Sequence, residues 1–250
     1  MVLKSPAELA AMDRANALVL ETLRLVAAAA QPGATTADLD ALAERYITEC
    51  GGRPAFKGYR GYPATLCTSV NDVIVHGIPS RSCVLREGDL LSLDCGVILE
   101  GFYGDAAVTV AVGEVSPLAA RLMTVTRECL ERAVAVMQPH RRLSDIGDAI
   151  QRHAEAAGFS VVRDFVGHGI GRALHEEPQV QNFGPPGRGP ELRPGLVLAI
   201  EPMINAGRPG VVIDEDGWTA RTEDGKLSAH FEYSVAVTED GPWVLGAEKG

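Results

Sequence analysis

Several absences narrow this chain before anything present in it does. Its most apolar tract, residues 18–30, is interrupted by Glu21 and Arg24, whereas a bilayer-spanning helix needs about 20 apolar residues. A secretory leader is not visible, because Glu8 and Asp13 stand where its apolar centre would lie. The five cysteines, Cys50, Cys67, Cys83, Cys95 and Cys129, are odd in number and never spaced C-x-x-C. That pattern argues against a zinc finger or a disulfide framework and for the reduced thiols of a cytoplasmic protein. Positive charge is not in excess either. With a net charge of -10, neither nucleic acid nor an anionic membrane is an expected partner. The rest is ordinary globular composition, 46% apolar and 22% charged over 250 residues, enough chain for a sizeable core.

Ser5-Pro6-Ala7-Glu8 carries a capping-box pattern with proline at the first helical position. Leu9, Met12, Ala15, Val19, Leu23 and Val26 follow at helical spacing, which predicts a long amphipathic helix to about Ala30. Gln31-Pro32-Gly33 stops it. A second helix, capped within Thr35-Thr36-Ala37-Asp38, runs from about Ala37 to Cys50 and ends at Gly51-Gly52. Residues 64–75 and 90–112 then read as strands. The pattern restarts at Ser116-Pro117, with one helix closed by Gln138-Pro139 and another opened at Ser144 or Asp145 and ended at Gly158. Gln31 and Gln138, Pro32 and Pro139, Asp38 and Asp145, Arg45 and Arg152, and Gly51 and Gly158 all match at one constant shift. Further strands are expected at 161–166, 196–200 and 230–237, and an ordered surface loop at 184–194. The twofold order of helix, helix and strands predicts an α+β domain with pseudo-two-fold symmetry. Each half would bring its own helices to its own sheet, with a site on the seam.

Residues 89–112 put two acids, Asp94 and Asp105, into apolar strand sequence. Glu100-Gly101 is a two-residue hairpin turn candidate; if it turns there, Leu99 pairs with Phe102 and Asp105 lies opposite Gly96. Gly96 shares a face with Asp94, so the two carboxylates become diagonal neighbours, roughly 7 Å apart at their β-carbons. Two such charges repel in a low-dielectric core unless a cation sits between them, and a divalent metal is the economical answer. Cys95, Gly96, Gly104, Ala106 and Ala107 would leave room for it. On this tract alone, an exposed strand pair with hydrated acids fits as well, since one bulge would turn Asp105 to the other face.

Four other tracts hold polar residues that packing does not call for. His76 ends the tract Asn71-Asp72-Val73-Ile74-Val75-His76-Gly77-Ile78-Pro79, although a lone histidine at a strand end is more often structural than catalytic. His168 lies between Gly167 and Gly169, with His175 shortly after it. Those glycines strip bulk from around the imidazole, as expected where a ligand approaches closely. The G-x-G-x-x-G look of this tract has no βαβ context and does not indicate a dinucleotide site. Glu201-Pro202 ends a continuous aliphatic strand. His230, Glu232 and Ser234 share one face of the last strand, as they also would on an exposed antiparallel strand. Together, Asp94, Asp105, Glu201 and Glu232 supply four negative charges, which two divalent ions neutralise. Oxygen ligands with one imidazole suit manganese, iron, cobalt or zinc rather than copper. Such a pair of ions activates a shared water for hydrolysis.

These residues resemble those of the type I methionine aminopeptidases, the short bacterial form of the pita-bread metallopeptidases. The likeness covers residues 5–244 and rests on N-D-V-I-V-H-G-I-P, L-D-C-G-V with the following G-F-Y-G-D, G-H-G-I-G-R-A-L-H-E-E-P, A-I-E-P-M and L-S-A-H-F-E-Y. It implies the pita-bread fold, an internal repeat of helices and strands around a central antiparallel sheet. Residues 1–250 would form a single catalytic domain with halves at about 5–112 and 116–240. By the same resemblance Asp94, Asp105, His168, Glu201 and Glu232 are the metal ligands, and His76 and His175 contact substrate. The implied reaction removes the initiator methionine from nascent polypeptides with a small second residue. Glu201 would act as general base and then acid, His175 would stabilise the oxyanion, and His76 would hold or protonate the departing nitrogen. Phe56, Tyr59, Tyr62, Phe165, Leu174 and Trp218 match the methionine pocket, although any of them could be plain core.

Arg60 stands where bacterial relatives often carry histidine, His230 where many have glutamine, and Ala106-Ala107 where a hydroxyl residue commonly follows the aspartate. The chain is expected to be a cytoplasmic monomer that meets nascent amino termini, with transient contact to the ribosome. Two rival readings are a proline-directed peptidase of the same fold, whose relatives normally carry an additional amino-terminal domain, and an inactive binding module, whose relatives lose metal ligands.

Overall fold

The structure, a computed structural model, describes residues 1–247; the last positions of the expected 1–250 domain lie outside the described residues. Helix α1 (Pro6–Ala29) begins as a capping box: the Ser5 hydroxyl accepts from the Glu8 N–H, and the Glu8 carboxylate accepts from the Ser5 N–H. Leu9, Met12, Ala15, Val19, Leu23 and Val26 are all buried along it. Helix α2 (Thr36–Glu49) is capped by the Thr35 hydroxyl on the Asp38 N–H, and α3 (Pro117–Ala135) by the Ser116 hydroxyl on the Ala119 N–H. Helix α4 (Ser144–Ala156) has no side-chain cap of its own. Asp145 instead accepts from the N–H groups of Arg142 and Gly187, which ties down the loop at 184–194.

The first half contributes strands β1 (Arg53–Pro54), β2 (Leu66–Val70), β3 (Val73–Val75), β4 (Leu90–Leu99) and β5 (Phe102–Ala111). The second contributes β6 (Ser160–Val161), β7 (Gly167–Gly169), β8 (Glu176–Val180), β9 (Val197–Ile200) and β10 (Met203–Asn205). It continues with β11 (Val211–Ile213), β12 (Ala220–Thr222), β13 (Ser228–His230), β14 (Glu232–Thr238) and β15 (Gly241–Val244). Separate sheets for the two halves do not form. One sheet runs β1-β4-β5-β14-β9-β7-β8, with β2 on β4 and β15 on β14, because β5 pairs with β14 across the seam. That pairing satisfies the backbone of two strands that would otherwise be open edges. Two smaller sheets, β13-β10-β6 and β11-β12-β3, flank it.

Three expected strands are shorter than their apolar runs. The tract 64–75 breaks at Asn71, which takes φ 55 while its side chain bonds both Asp89 and the Leu90 N–H. Asparagine tolerates that left-handed conformation by such local bonds. The tract 230–237 breaks at Phe231, so His230 and Glu232 belong to different sheets. The tract 161–166 leaves its strand after Val161 and regains one only at Gly167.

The hairpin turns at Glu100 and Gly101, whose φ values of 51 and 78 are the paired positive angles a two-residue type I′ turn requires. Its register is Leu99↔Phe102, Gly96↔Asp105 and Asp94↔Ala107. Leu91, Leu93 and Val97 on β4 pack with Leu18, Val19 and Leu23 of α1 and with Leu39 and Ile47 of α2. Leu198, Ile200 and Val235 pack in the same way with Leu122, Leu130, Ile146 and Ile150 of α3 and α4. Both helical pairs therefore cover one face of the sheet, and the acids face away from them. At Gly104 a Cβ would come 2.8 Å from the Ala15 carbonyl carbon, so glycine lets α1 rest directly on β5. Among the described residues, no helix is long and apolar enough to cross a membrane.

Candidate metal centre

Two rows of side chains cross the sheet on the face opposite the helices. In the first, Cys67 pairs with Asp94, Asp94 with Ala107, and Ala107 with Glu232. Glu201 follows directly on the Tyr233↔Ile200 pair, beside Glu232. In the second, Gly96 pairs with Asp105, Ser234 with Ala199, and Ala199 with His168. Ala107 thus separates Asp94 from Glu232 in the first row, and Ser234 and Ala199 separate Asp105 from His168 in the second. The small residues near the hairpin divide differently from expectation. Cys95 and Ala106 belong to the helix-side core, Gly104 admits α1, and the space at Gly96 is filled by Phe56, whose Cε1 lies 2.5 Å from a would-be Cβ.

Asp105, His168 and Glu232, all buried, offer ligand atoms within 4.8 Å of one another. The His168 Nε2 is 3.8 Å from Asp105 Oδ2 and 3.7 Å from Glu201 Oε1, and His230 Nε2 is 3.8 Å from Glu201 Oε2. These gaps are too wide for hydrogen bonds. His168 Nδ1 donates to the Gly169 carbonyl at 2.9 Å, so its bare Nε2 lone pair faces carboxylates. Burial pushes His168 down to about 4, which keeps it neutral at pH 7 and leaves the acids uncompensated. Burial raises Asp94 to about 7. It also holds Asp105, Glu201 and Glu232 well above the usual carboxylate range, with repulsion from their acidic neighbours adding to the rise. Asp94 Oδ1, Asp105 Oδ1 and Glu232 Oε1 are buried without a hydrogen-bond partner. Unpartnered carboxylate oxygens converging on an imidazole lone pair are what a bound divalent cation would satisfy, and the donor set fits one.

The backbone around these groups is fastened. Asn16, buried on α1, takes the Asp105 N–H on its Oδ1 at 3.2 Å and donates to the Met12 carbonyl at 2.9 Å. The Ser234 hydroxyl donates to the Asp105 carbonyl, and Asn182 to the Glu201 carbonyl, each at 2.9 Å. Thr109 accepts from the His230 N–H and donates to the His230 carbonyl. None of Asn16, Cys67, Thr109 or Asn182 is singled out by sequence reasoning, since a buried amide, thiol or hydroxyl in a helix or strand reads as ordinary core. The glycines around His168 act otherwise than expected. A Cβ would meet the Ala199 carbonyl oxygen at 2.3 Å from Gly167 and that of Glu177 at 2.5 Å from Gly169, so neighbouring strands, not a ligand, need the space.

The acids form the floor of a cavity of about 200 Å³, room for the end of one peptide and not for a folded segment. Asp94, Asp105, His168, Glu201, Glu232, His76, His175, Phe56, Tyr59, Tyr62, Leu174 and Trp218 all line it, with Arg60 and Cys67. Phe165 is not in the wall; it stands edge-on to His76, ring centres 5.3 Å apart. Trp218 meets His76 edge-on as well, at 6.2 Å. His76 takes φ 61, and burial pushes its imidazole down to about 4. His175 Nδ1 is 2.8 Å from the Tyr59 hydroxyl. A larger groove of about 570 Å³ between α1 and α3 is lined by residues such as Leu20, Leu23 and Met123 and by no histidine or carboxylate, so it holds none of this chemistry.

A sequence model of metallopeptidase family M24 matches residues 10–239. A methionine aminopeptidase of Clostridium acetobutylicum is 49% identical over 245 residues, covering 98% of each chain. The crystal structure of a Thermotoga maritima methionine aminopeptidase superposes with a TM-score of 0.98 at 46% identity, over 99% of this chain and 100% of that one. A Pyrococcus horikoshii prolidase superposes at 0.81 with 19% identity, over 99% of this chain and 64% of its own. The last likeness shows the fold alone, the curled antiparallel sheet with paired helices known as the pita-bread fold.

Proposed function

This chain belongs to metallopeptidase family M24, and we propose that within it the protein is a methionyl aminopeptidase, releasing the amino-terminal methionine of polypeptides whose second residue is small. One observation carries the reading: Asp94, Asp105, His168, Glu201 and Glu232 converge on the floor of a cavity sized for a single chain end. All five would hold metal, two divalent ions by charge balance, drawn from cobalt, manganese, iron or zinc. Bound there, such ions supply an acidified water and a polarised carbonyl.

The chain's own groups do the remainder. Glu201 accepts a proton from the attacking water and returns it to the leaving nitrogen. With His175 Nδ1 accepting a hydrogen bond from the Tyr59 hydroxyl 2.8 Å away, the His175 Nε2–H donates to the carbonyl oxygen as negative charge develops on it. His76, in ring contact with Phe165 and Trp218, is neutral and donates a hydrogen bond to the departing amide, whose proton comes from Glu201. Phe56, Tyr59, Tyr62, Leu174 and Trp218 surround the methionine side chain, and Phe165 acts on it only through His76. The domain would span 1–250, with halves at about 5–112 and 116–240. It would work as a cytoplasmic monomer on nascent amino termini, in transient contact with the ribosome.

The proline-directed reading draws only on a likeness of fold, and the inactive-module reading is opposed by five filled ligand positions. A paired assay tests the choice. Metal-stripped protein should leave Met-Ala-Ser intact and recover its cleavage with cobalt or manganese, while Ala-Pro-Ala stays uncut throughout. Asp94→Asn and His168→Ala should abolish the recovery. Cleavage of Met-Ala-Ser by fully stripped protein would end the metal-dependent reading.

A further inference from the structure

Arg60 is the one fixed cation among the residues lining the cavity, and the chemistry above leaves it unused. Its guanidinium lies 5.4 Å from the Tyr59 ring centre, and its side chain makes no ion pair or hydrogen bond among the described residues. The backbone places it there against local preference. Arg60 takes φ 50 and ψ 25, between Gly58 at φ 85 and Gly61 at φ 88, a left-handed conformation that residues bearing a side chain rarely adopt. The turn is pinned by the Gly58 N–H on the Tyr62 carbonyl, 2.8 Å, and the Tyr62 N–H on the Tyr59 carbonyl, 2.9 Å. An arginine that is exposed, strained and unpaired in a chain of net charge -10 is available to a carboxylate from outside.

The route past it is defined by burial. Phe56, Tyr62, Cys67 and Leu174 are buried and close the inner wall, whereas Arg60 and His175 are exposed at the mouth. Tyr59 joins these two, stacked near one and bonded to the other. Arg60 and His175 are the most exposed of the lining residues, so a peptide whose amino terminus reaches the acids would pass them on leaving. The geometry points to Arg60 as a specificity-determining residue that favours substrates with an acidic side chain at the third position, the first to clear the mouth. This rests on the aminopeptidase reading.

The test uses the metal-loaded full chain and two amidated peptides, Met-Ala-Glu-Ser and Met-Ala-Gln-Ser, which match in shape and differ by one charge. At low ionic strength kcat/KM should favour the glutamate peptide about three- to five-fold, the range of an exposed ion pair, and the preference should fade as salt rises. In Arg60→Asn, whose side chain tolerates the left-handed backbone, the ratio should fall to about one; in Arg60→Lys part of it should remain. A ratio measured within one preparation does not depend on how much of a variant folds. Equal kcat/KM for both peptides in the unaltered chain, or a preference that survives in Arg60→Asn, overturns the assignment of Arg60 and leaves the aminopeptidase standing. No methionine from either peptide overturns both.

Discussion

Asp94 sits where its charge works against the metal-free fold. Its carboxyl is pushed up to about 7 by burial, and its charge in turn raises Asp105, Glu201 and Glu232. Replacing it with asparagine keeps the shape and removes one of four crowded charges. Asp94→Asn should therefore raise the thermal midpoint of chelator-treated protein by several degrees, at about 2–4 °C per kcal/mol for a chain of this size. The same variant should lose manganese binding in a calorimetric titration. A lower midpoint would show that Asp94 contributes to the empty fold. Asn16 acts on the same centre through the backbone. It is buried, and its amide joins the Met12 carbonyl to the Asp105 N–H. Asn16→Ala takes the partner from the buried Asp105 N–H, while the Met12 carbonyl keeps its helical bond; this should cost about 1–3 kcal/mol in urea unfolding. It should also weaken metal binding, by about 10- to 100-fold if it matters as much as other groups that orient ligands. An unchanged affinity would mean that Asp105 is held without it.

The β4–β5 hairpin was the most legible element, because a two-residue turn and a period of two leave only one register once Glu100-Gly101 is the turn. Asp94↔Ala107 and Gly96↔Asp105 followed from that arithmetic alone. The helices were legible to within a residue or two for a similar reason: caps and apolar spacing are local. What could not be read was contact between distant tracts. Pairing of β5 with β14 sets Ala107 between Asp94 and Glu232, and nothing within either strand specifies it. The five proposed metal ligands and two histidines stand out as polar residues that packing does not call for and again as family motifs, whereas Asn16, Thr109 and Asn182 carry no motif and matter only through what folds against them. Gly104 illustrates the same limit, since its neighbour is α1. Gly104→Ala places a Cβ 2.8 Å from the Ala15 carbonyl carbon and should destabilise by about 1–3 kcal/mol through overpacking. Gly101→Ala has φ 78 and meets only the Arg172 guanidinium, at 3.9 Å, so it should cost about 1 kcal/mol for backbone conformation alone. Urea midpoints of the two variants check the order, and a reversed order would mean that α1 yields without cost.

At the scale of the whole molecule, the four raised acids and the depressed histidines make stability depend on pH in opposite directions. His76 and His168 are pushed down to about 4 and His230 to about 3. Between those values and the ordinary 6.5, the unfolded chain binds more protons, so stability rises with pH and then levels off. The carboxylates behave inversely. With folded values above their ordinary range, the folded metal-free chain holds the extra protons, and stability falls as pH rises toward those values. Above about pH 6.5 the histidine contribution is complete and only the acids remain; above about pH 8 the buried thiols begin to ionise on unfolding. In the window between, chelator-treated protein should lose stability as pH rises, because the raised carboxyls of the folded chain still give up protons that the unfolded chain has already lost. Manganese-loaded protein should not follow it, because the ion holds the acids deprotonated and binds more tightly as protons leave. The gap between the two midpoints, followed by urea unfolding at constant ionic strength, should therefore widen with pH. A stripped protein whose midpoint stays level or climbs across that window would mean that the acids are already ionised in the empty fold, and that the crowding of charge under Ala107 and Ala199 is relieved by something other than a cation.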